Sequence, residues 1–457
     1  MASLRIAIVG AGLAGSLLGN GLLNSGLDLT VFESEPQDSS REGYQIRLGS
    51  PALAGFKQCL EPDRQASLIA KFGRSGGVLS SAPILYDTQL RVILDLTKFP
   101  AYTKSAPINR VVLRDFLREK LDAASKVKYG KRFVKYEVLK APGSPGSIRL
   151  FFQDGTTFIC DVLIAAEGNR SKVNSQVGLN NIVQLSDKWR FLAKGHLSNA
   201  RLKELPPEVK RGPISVVKDG VILFFSVYMP APKPSAVKGI EYEDEYDEEA
   251  ASLFWSLSVP SENVPIGGPS ATDKLAFCLE QLKDWHPKFQ AMLRMTGEGY
   301  IHAFQARSSE QPPKHWRASL RKGGAPEKVG NPHVWLIGDA VHPMLPARGM
   351  GGNQALRDTA DALPILVRLA AKGEQGSLSE SDFEDAVLEY EECMLPRAFG
   401  WVKKSGGTSG ELIEPESVKG KVMLFLASGV LHVVHLLSLI GSALGYKPKD
   451  DAPELPN

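Results

Sequence analysis

The sequence predicts a mixed α/β protein, in which a parallel sheet with flanking helices is interrupted by a mainly β unit and followed by a C-terminal helix. Three observations predict this fold class. An apolar strand runs directly into a glycine-rich turn at residues 4–15. The same order of strand, glycine-rich turn and helix returns at residues 333–353. Between them, segments such as 221–228 are rich in β-branched and aromatic residues, as strands are.

The first turn contains three glycines in a spacing typical of nucleotide-binding proteins. Gly10, Gly12 and Gly15 follow the strand as G-x-G-x-x-G. The first glycine permits a tight turn, the second lets the backbone approach a pyrophosphate, and the third lets the helix pack closely on the strand. A second strand ends in Glu33, 33 − 15 = 18 positions beyond the last glycine, where a ribose-binding carboxylate is expected. The segment therefore predicts a Rossmann-like dinucleotide-binding turn formed by Gly10, Gly12, Ala14 and Gly15.

A second motif, Gly338–Asn353, follows a strand that reads as buried. Asp339 stands where this strand ends and can accept hydrogen bonds from the hydroxyls of a sugar or polyol. The run Gly349–Gly352 leaves backbone N–H groups accessible at a helix N-terminus, where they suit an anionic group. A nicotinamide dehydrogenase needs only the first turn, whereas FAD carries its adenylate and its reactive ring at opposite ends. The pair of turns therefore predicts FAD as the cofactor.

In motif order and spacing, residues 4–400 resemble the class A FAD-dependent aromatic hydroxylases, the p-hydroxybenzoate hydroxylase-like monooxygenases. Their late motif is G-D-A-x-H-x-x-x-P-x-x-G-x-G-x-N, and this chain matches it at Gly338, Asp339, Ala340, His342, Pro346, Gly349, Gly351 and Asn353. The segment 108–117 resembles the family's R-x-x-L segment. The D-G motif, which lies between these two in the family, is matched at 161–173, but Glu167 stands where Asp is usual, a departure that bears on NAD(P)H docking.

The resemblance implies roles for residues along the whole length of FAD. Glu33 would bind the adenosine ribose, and Arg41 would lie near the adenylate or pyrophosphate. Arg110 would contact the ribityl chain, with Arg114 as the alternative, and Asp339 would hold ribityl hydroxyls. Four residues would border the isoalloxazine ring, where backbone donors stabilise charge on the reduced flavin: Pro346, Gly349, Gly351 and Gly352.

Candidate substrate-binding residues are fewer. Gln45 lies on a segment that is near the flavin in relatives, and Phe224 and Tyr228 belong to the central strands. His342 is expected to make a structural hydrogen bond rather than transfer a proton. No catalytic side chain is assigned.

The resemblance implies an FAD-dependent monooxygenase. NAD(P)H would reduce FAD, O2 would form a C4a-hydroperoxyflavin, and one oxygen atom would pass to an aromatic or other electron-rich small molecule. A polyketide- or alkaloid-type compound of secondary metabolism is one such substrate. Two alternatives remain open: a flavoprotein oxidoreductase or reductase of the same fold that inserts no oxygen, and a non-catalytic flavin-binding protein.

We expect a discontinuous FAD-binding domain at 1–183 and 300–400, a substrate-binding β-sheet domain at 184–299 and a C-terminal helical segment at 401–457. The 457-residue chain has a formal net charge of +3 and no dense basic cluster, which argues against a nucleic-acid partner. Its four cysteines lie far apart without a C-x-x-C pair. We therefore expect thiols, no metal site and a cytoplasmic location.

The C-terminal run 422–446 contains no Asp, Glu, Lys or Arg. It is long enough to span a bilayer, for which about 20 apolar residues suffice. Its serines and histidines recur at three- and four-residue spacing and would form one polar stripe along a helix. The segment therefore predicts either membrane association or a helix packed on the protein or on a partner.

Overall fold

The computed structural model describes the chain at residues 4–37, 45–72, 83–96, 106–141, 144–229, 246–249, 251–265, 268, 273–296, 301–322, 324–376, 378–407 and 417–444. The strands are β1 (Arg5–Val9), β2 (Asp28–Phe32), β3 (Gln45–Leu48), β4 (Ile84–Tyr86), β5 (Val92–Asp95), β6 (Ala106–Asn109), β7 (Val127–Lys128), β8 (Phe133–Ala141), β9 (Ser144–Phe152), β10 (Thr157–Cys160), β11 (Val162–Ala165), β12 (Ile182–His196), β13 (Ile214–Lys218), β14 (Val221–Tyr228), β15 (Ser252–Pro260), β16 (His302–Ser309) and β17 (Val334–Leu336). The helices are α1 (Leu13–Asn24), α2 (Ser50–Cys59), α3 (Pro62–Ile69), α4 (Arg110–Ala123), α5 (Lys172–Gln176), α6 (Asn199–Glu204), α7 (Lys274–Glu280), α8 (Pro287–Arg294), α9 (Trp316–Lys322), α10 (Gly351–Glu374), α11 (Glu380–Lys404) and α12 (Val418–Ala443).

The two glycine motifs belong to a five-stranded parallel sheet in the order β17-β11-β1-β2-β7. On its central strand, Ile6, Ala7 and Ile8 are fully or almost fully buried. A parallel strand covered on both faces reads as a continuous apolar run, which is why β1 could be recognised from the sequence. Helix α1 packs against α4 and α10. The predicted mixed α/β class is confirmed.

A seven-stranded sheet in the order β16-β12-β15-β14-β13-β4-β5 has its own apolar core. Phe191, Phe225 and Trp255 are fully buried there, together with side chains of α7 and α8. The core around the parallel sheet instead draws on residues between 4 and 177 and between 316 and 402. Strands β4, β5 and β16 belong to the seven-stranded sheet, although their residues fall within the ranges predicted for the FAD-binding domain. The predicted domain boundaries stay a prediction.

The C-terminal helix α12 is, among the described residues, the one helix long and apolar enough to cross a membrane. Its segment Val422–Gly441 has a mean hydropathy of 2.1 and is 6% buried. Of its described large apolar side chains only Leu431 is buried, and the helix contacts the edge strand β5. The predicted C-terminal helix is confirmed, and most of its apolar surface is exposed.

Candidate functional site

The first glycine turn joins β1 to α1, and its three glycines meet different surroundings. Gly10 has a φ of +105°, and a Cβ added there would lie 2.4 Å from the carbonyl oxygen of Ala166. A Cβ at Gly15 would lie 2.0 Å from the carbonyl oxygen of Gly10. At Gly12 no atom lies within 4 Å of that position. Packing therefore requires the first and third glycines, whereas the second borders open space.

The open space beside Gly12 coincides with the N-terminus of a helix. Gly12 is the N-cap of α1, which has 12 residues, and no side chain caps this end. The first N–H groups of a helix have no intrahelical partner, and the helix dipole adds positive potential there. This place therefore fits an anionic group such as a pyrophosphate.

Glu33 is 8% exposed, and its carboxylate already accepts hydrogen bonds from protein donors. Oε2 accepts from the backbone N–H of Ala11 at 3.0 Å and from Arg118 at 2.9 Å. Oε1 accepts from the Ser34 hydroxyl at 3.2 Å and the backbone N–H of Glu35 at 3.0 Å. Since a carboxylate has about four lone-pair sites, a ribose hydroxyl would have to replace one of these donors. The contact between Glu33 and a ribose stays a prediction.

The second turn brings Gly338 against the first helix. Gly338 has a φ of +60°, and a Cβ there would lie 3.0 Å from the Cβ of Ala355 and 3.7 Å from the Cβ of Ala14. Ala14 lies in the first turn of α1. The two glycine motifs, distant in the sequence, are therefore neighbours in the fold, as a single dinucleotide spanning both requires.

The predicted ribityl-binding residues Asp339 and Arg110 lie within electrostatic range of each other. The Asp339 side chain is exposed to solvent. Desolvation by the surrounding protein atoms nevertheless raises its pKa, and the charges of His342 and Arg110 oppose this rise. Arg110 is the first residue of α4 and is also exposed. Arg114, the alternative, instead pairs with its neighbour Asp115 at 2.8 Å. The structure thus brings Arg110, rather than Arg114, to the second turn.

The run Gly349–Gly352 opens at the N-terminus of α10, just after the exposed Pro346. A Cβ added at Gly349, where φ is +62°, would meet no atom within 4 Å. A Cβ at Gly351 would lie 4.0 Å from Oδ1 of Asp339. Helix α10 has 24 residues and no side chain caps its N-terminus. Its first N–H groups therefore lie near Asp339 in an arrangement that suits the anionic edge of a ring.

Strand β3 is tied to the start of α10 by Asn353. Its Oδ1 accepts from the N–H of Gly49 at 2.8 Å, and its Nδ2 donates to the carbonyl oxygen of Arg47 at 2.8 Å. These bonds place β3, and with it Gln45, beside the second turn. The side chain of Gln45 and the whole of Arg41 lie outside the part of the chain that the structure describes.

Two of the candidate substrate residues lie on neighbouring elements. Gln45 pairs with Asn109 across β3 and β6, and a hydrogen bond links the Asn109 backbone to the Tyr228 hydroxyl group. Burial raises the pKa of Tyr228 to about 12, so the hydroxyl stays protonated at neutral pH. Phe224 lies four residues earlier on β14, half-buried, with its ring centroid 6.1 Å from that of Phe254. Gln45 and Tyr228 are therefore brought together, and Phe224 lies farther along the sheet.

Glu167, the departure in the D-G motif, has an internal role. Its carboxylate accepts from the Ser171 hydroxyl at 2.9 Å and from the N–H groups of Lys172 and Val173 at 3.0 Å each. Desolvation raises its pKa, although these hydrogen bonds oppose the rise. Glu167 thus caps the N-terminus of α5.

Sequence reasoning missed Asp358 and Arg118. Asp358 accepts a hydrogen bond from Nε2 of His342 at 2.7 Å, with both side chains fully buried, so the structural hydrogen bond expected for His342 is confirmed. A signal existed for Asp358, since it is an acid on the buried face of α10 that continues with Ala362 and Ile365. No local signal marks Arg118, because its partner Glu33 lies 85 positions away.

Comparisons with known proteins show which proteins this chain is similar to. A model described as FAD binding domain matches residues 321–380, which include the second turn. The dual O-methyltransferase/FAD-dependent monooxygenase elcB of Phaeosphaeria nodorum is 24% identical over 437 residues, covering 88% of this chain and 45% of that protein. The chain thus spans about half the length of this relative. The FAD-dependent monooxygenase vrtH of Penicillium aethiopicum is 29% identical, covering 88% of this chain and 90% of that protein.

The fold has also been seen with FAD bound. The crystal structure of Klebsiella pneumoniae HpxO complexed with FAD and uric acid has a TM-score of 0.61 and 17% sequence identity, covering 94% of this chain and 92% of that one. The fold and the two adjoining glycine turns define an FAD-binding α/β flavoprotein. The space beside Gly12, the uncapped start of α10 and the Asp339–Arg110 pair fit the phosphates, ring edge and ribityl chain of that cofactor. The predicted resemblance to FAD-dependent monooxygenases is confirmed, since relatives of that description are 24% and 29% identical over most of this chain.

Proposed function

We propose that this chain is an FAD-dependent monooxygenase that uses NAD(P)H and O2 to oxygenate an aromatic or other electron-rich small molecule. The observation that carries the proposal is the proximity of the two glycine motifs, since a Cβ added at Gly338 would lie 3.7 Å from the Cβ of Ala14 in the first turn of α1. The overall reaction consumes NAD(P)H, a proton, O2 and the substrate. It yields NAD(P)+, water and a product with one added oxygen atom. FAD, when bound, supplies the electron transfer and the activation of O2.

The protein's own groups would bind and orient the cofactor. The N–H groups at the start of α1 hold the pyrophosphate beside Gly12, and Glu33 with Arg41 serves the adenosine end. Arg110 and Asp339 bind the ribityl hydroxyls. The N–H groups of Gly349–Gly352 would stabilise negative charge at the edge of the ring, because they are fixed donors at an uncapped helix N-terminus.

The substrate is proposed to lie between the second turn and the seven-stranded sheet. The protonated Tyr228 hydroxyl can hydrogen-bond a phenolic oxygen there. Gln45 is proposed as the second polar residue, because its backbone on β3 pairs with Asn109. The Phe224 ring supplies an apolar wall farther along the sheet. A planar, electron-rich ring matches this combination of one aromatic and two polar contacts, and the uric acid bound by HpxO is such a ring.

The proposal is tested on the purified full-length chain. We expect yellow protein with flavin absorbance, NAD(P)H consumption that accelerates with some members of a panel of phenols and polyketide-like aromatics, and products that carry one oxygen atom from labelled O2. A colourless protein that takes up no FAD would contradict the proposal. NAD(P)H oxidation that gives only hydrogen peroxide throughout the panel would favour a flavoprotein oxidoreductase, whereas bound FAD without NAD(P)H oxidation would favour a non-catalytic flavin-binding protein.

We further propose that α12 lies on a membrane surface. Five of its exposed apolar side chains lie on the side of the helix opposite the buried Leu431 and the half-buried Ser428 and His435: Val422, Leu426, Val433, Leu437 and Ile440. The segment is about 30 Å long, from 20 residues at 1.5 Å each. Lys419 and Lys421 precede it and Lys447 and Lys449 follow it, which complements anionic headgroups at both ends. The cytoplasmic location stays a prediction.

Vesicle co-sedimentation of the full-length protein tests this. We expect binding to phosphatidylcholine vesicles that contain phosphatidylserine, weaker binding to pure phosphatidylcholine, and loss of binding in Leu437→Asp. Val134→Asp, which adds the same charge at another exposed apolar residue, should bind as the unmodified protein does. Absence of vesicle binding would end the idea, and a stable dimer that Leu437→Asp dissociates would assign the face to a second copy.

A further inference from the structure

We propose that Asp358 positions the second turn for cofactor binding, and that Arg397 of α11 acts on this turn through Asp358. The inference rests on the proposed use of the second turn by FAD. Neither residue belongs to a glycine motif, and neither is expected to touch FAD. Both are therefore positioning residues.

One carboxylate oxygen of Asp358 holds both ends of a short segment. Oδ2 accepts from the backbone N–H of Gly338 at 2.7 Å and from Nε2 of His342 at 2.7 Å. Asp339 lies between these two anchored residues in the sequence. Because the residues on both sides of Asp339 are fixed, the direction in which the Asp339 side chain points depends on the position of Asp358.

Asp358 is fully buried, yet it is held as a carboxylate. Burial alone would raise its pKa, but His342 and Arg397 outweigh that effect and keep the pKa below its ordinary value. The second oxygen, Oδ1, accepts from Arg397 at 2.7 Å. The same guanidinium donates to Asp361 at 2.9 Å and to the side chain of Gln354. Arg397 thus keeps Asp358 charged and fixed in direction.

The negative charge of Asp358 strengthens the hydrogen bond that holds the second turn. A hydrogen bond to an ionised acceptor is roughly twice as strong as one between neutral groups. The N–H of Gly338 therefore gains most when Asp358 stays ionised, which favours the φ of +60° at this glycine. Helix α11 lies beyond both motifs in the sequence, so this network gives it a direct mechanical connection to the cofactor turn.

A purely structural ion pair would not need to reach the turn, and the chain contains such a pair. Asp361 lies on the same helix close to one turn beyond Asp358, and it accepts from the same guanidinium. Its other donor is Arg357 on the same helix, at 3.1 Å. Asp361 therefore shares the Arg397 partner of Asp358, although it is only partly buried, and it has no bond to Gly338 or His342 among the described residues.

The matched pair of variants Asp358→Asn and Asp361→Asn tests the inference on the holoprotein. Three quantities are measured: the dissociation constant for FAD, the visible circular dichroism of the bound flavin, and the urea midpoint of unfolding. We expect Asp358→Asn to bind FAD about tenfold more weakly, by the loss of one charge-assisted hydrogen bond at the site. Its flavin dichroism should change as the ring and ribityl chain shift. Asp361→Asn should leave FAD affinity and dichroism unaltered while also lowering the urea midpoint.

A second pair of variants tests the inference even if Asp358→Asn misfolds. Arg397→Gln removes the guanidinium behind Asp358, whereas Arg368→Gln removes the ion pair of Arg368 with Glu389, which also joins α10 to α11 at 2.6 Å but does not reach the turn. Only Arg397→Gln should weaken FAD binding. Equal FAD affinity within each pair, in a protein whose unmodified form binds FAD, would overturn the inference. An unmodified protein that binds no FAD would instead refute the proposed function.

Discussion

At the scale of single residues, the three glycines of the first turn serve different purposes. Gly10 and Gly15 are needed because backbone atoms lie within 2.4 Å and 2.0 Å of where a side chain would begin. Gly12 has ordinary backbone angles, with φ −72°, and open space beside it. The structure therefore assigns folding to the first and third glycines and cofactor access to the second.

Substitution by alanine should separate these purposes. Gly10→Ala should lower the free energy of unfolding by roughly 3 kcal/mol, through backbone strain and overlap with Ala166. Gly12→Ala should fold with nearly unchanged stability but bind FAD more weakly, because its methyl group occupies the space left for the pyrophosphate. Urea unfolding without added FAD and flavin titration would measure the two effects. Equal loss of stability in both variants would contradict this division.

Glu33 shows how far a local motif predicts a site. Its position after the second strand could be anticipated from the spacing of the first turn. Arg118 could not, because the pairing of these two residues depends on how α4 packs beside α1. The same holds for the approach of Arg110 to Asp339, for which the family resemblance, and not periodicity, supplied the expectation.

At the scale of elements, α11 is joined to the parallel sheet by a buried imidazole. His333 lies just before β17, and its Nδ1 lies 2.7 Å from the carbonyl oxygen of Asp161. Its Nε2 lies 3.0 Å from Glu380, the first residue of α11, and its ring stacks on Phe383 at 3.9 Å. A carbonyl and a carboxylate both accept hydrogen bonds, so each ring nitrogen of His333 faces an acceptor.

This junction predicts a loss of stability in acid. The hydrogen bond from His333 holds the pKa of Glu380 below its ordinary value. A carboxyl with a depressed folded pKa stabilises the fold above its unfolded pKa, about 4.3, and this contribution disappears as the pH falls through the folded pKa. Glu380→Gln should therefore be less stable than the unmodified protein at pH 6, and the difference should shrink towards pH 3. Urea unfolding at both pH values measures it.

A control for the loss of one acidic residue is available on the same helix. Glu389→Gln removes a carboxylate that pairs with the exposed Arg368. Its effect on the free energy of unfolding should be small at pH 6, because exposed ion pairs contribute little. A Glu380→Gln deficit that stays constant between pH 6 and pH 3 would show that the ionisation of Glu380 is not responsible.

The helices and strands differ in how well their local sequence predicts them. Strand β1 and helix α4 have clean apolar patterns, and both could be predicted close to their observed bounds. Strands β4 and β5 could be recognised as a pair, but their place at the edge of the seven-stranded sheet could not. That placement depends on the parallel pairing of Ile84 with Ile214, 130 positions away, which no local pattern encodes.

At the scale of the whole molecule, two apolar cores carry the fold and α12 adds little to either. Leu431 is its only large apolar side chain that is buried among those described. Phe425 and Leu426 are 79% and 60% exposed. Stability should therefore reside in the cores around the two sheets, and α12 should be dispensable for folding.

Truncation after Gly407 measures this directly. We expect the melting temperature of the truncated protein to stay within a few degrees of the full-length value, since little burial is lost. Its recovery without detergent should rise, because a large exposed apolar surface has been removed. A fall of more than about 10 °C would mean that α12 packs on the body of the protein far more extensively than its exposure indicates.

The late position of β17 in the sequence delays completion of the parallel sheet during translation. Strand β11 ends at residue 165, and its outer neighbour β17 begins at residue 334. A ribosome adding about 5–20 residues per second needs roughly 10 to 30 s to bridge that gap. Throughout this interval the nascent sheet has an open apolar edge, which is a template for wrong strand pairing and for chaperone capture. The two glycine turns can come together only once translation has passed the second turn, so the proposed cofactor site is completed late in synthesis.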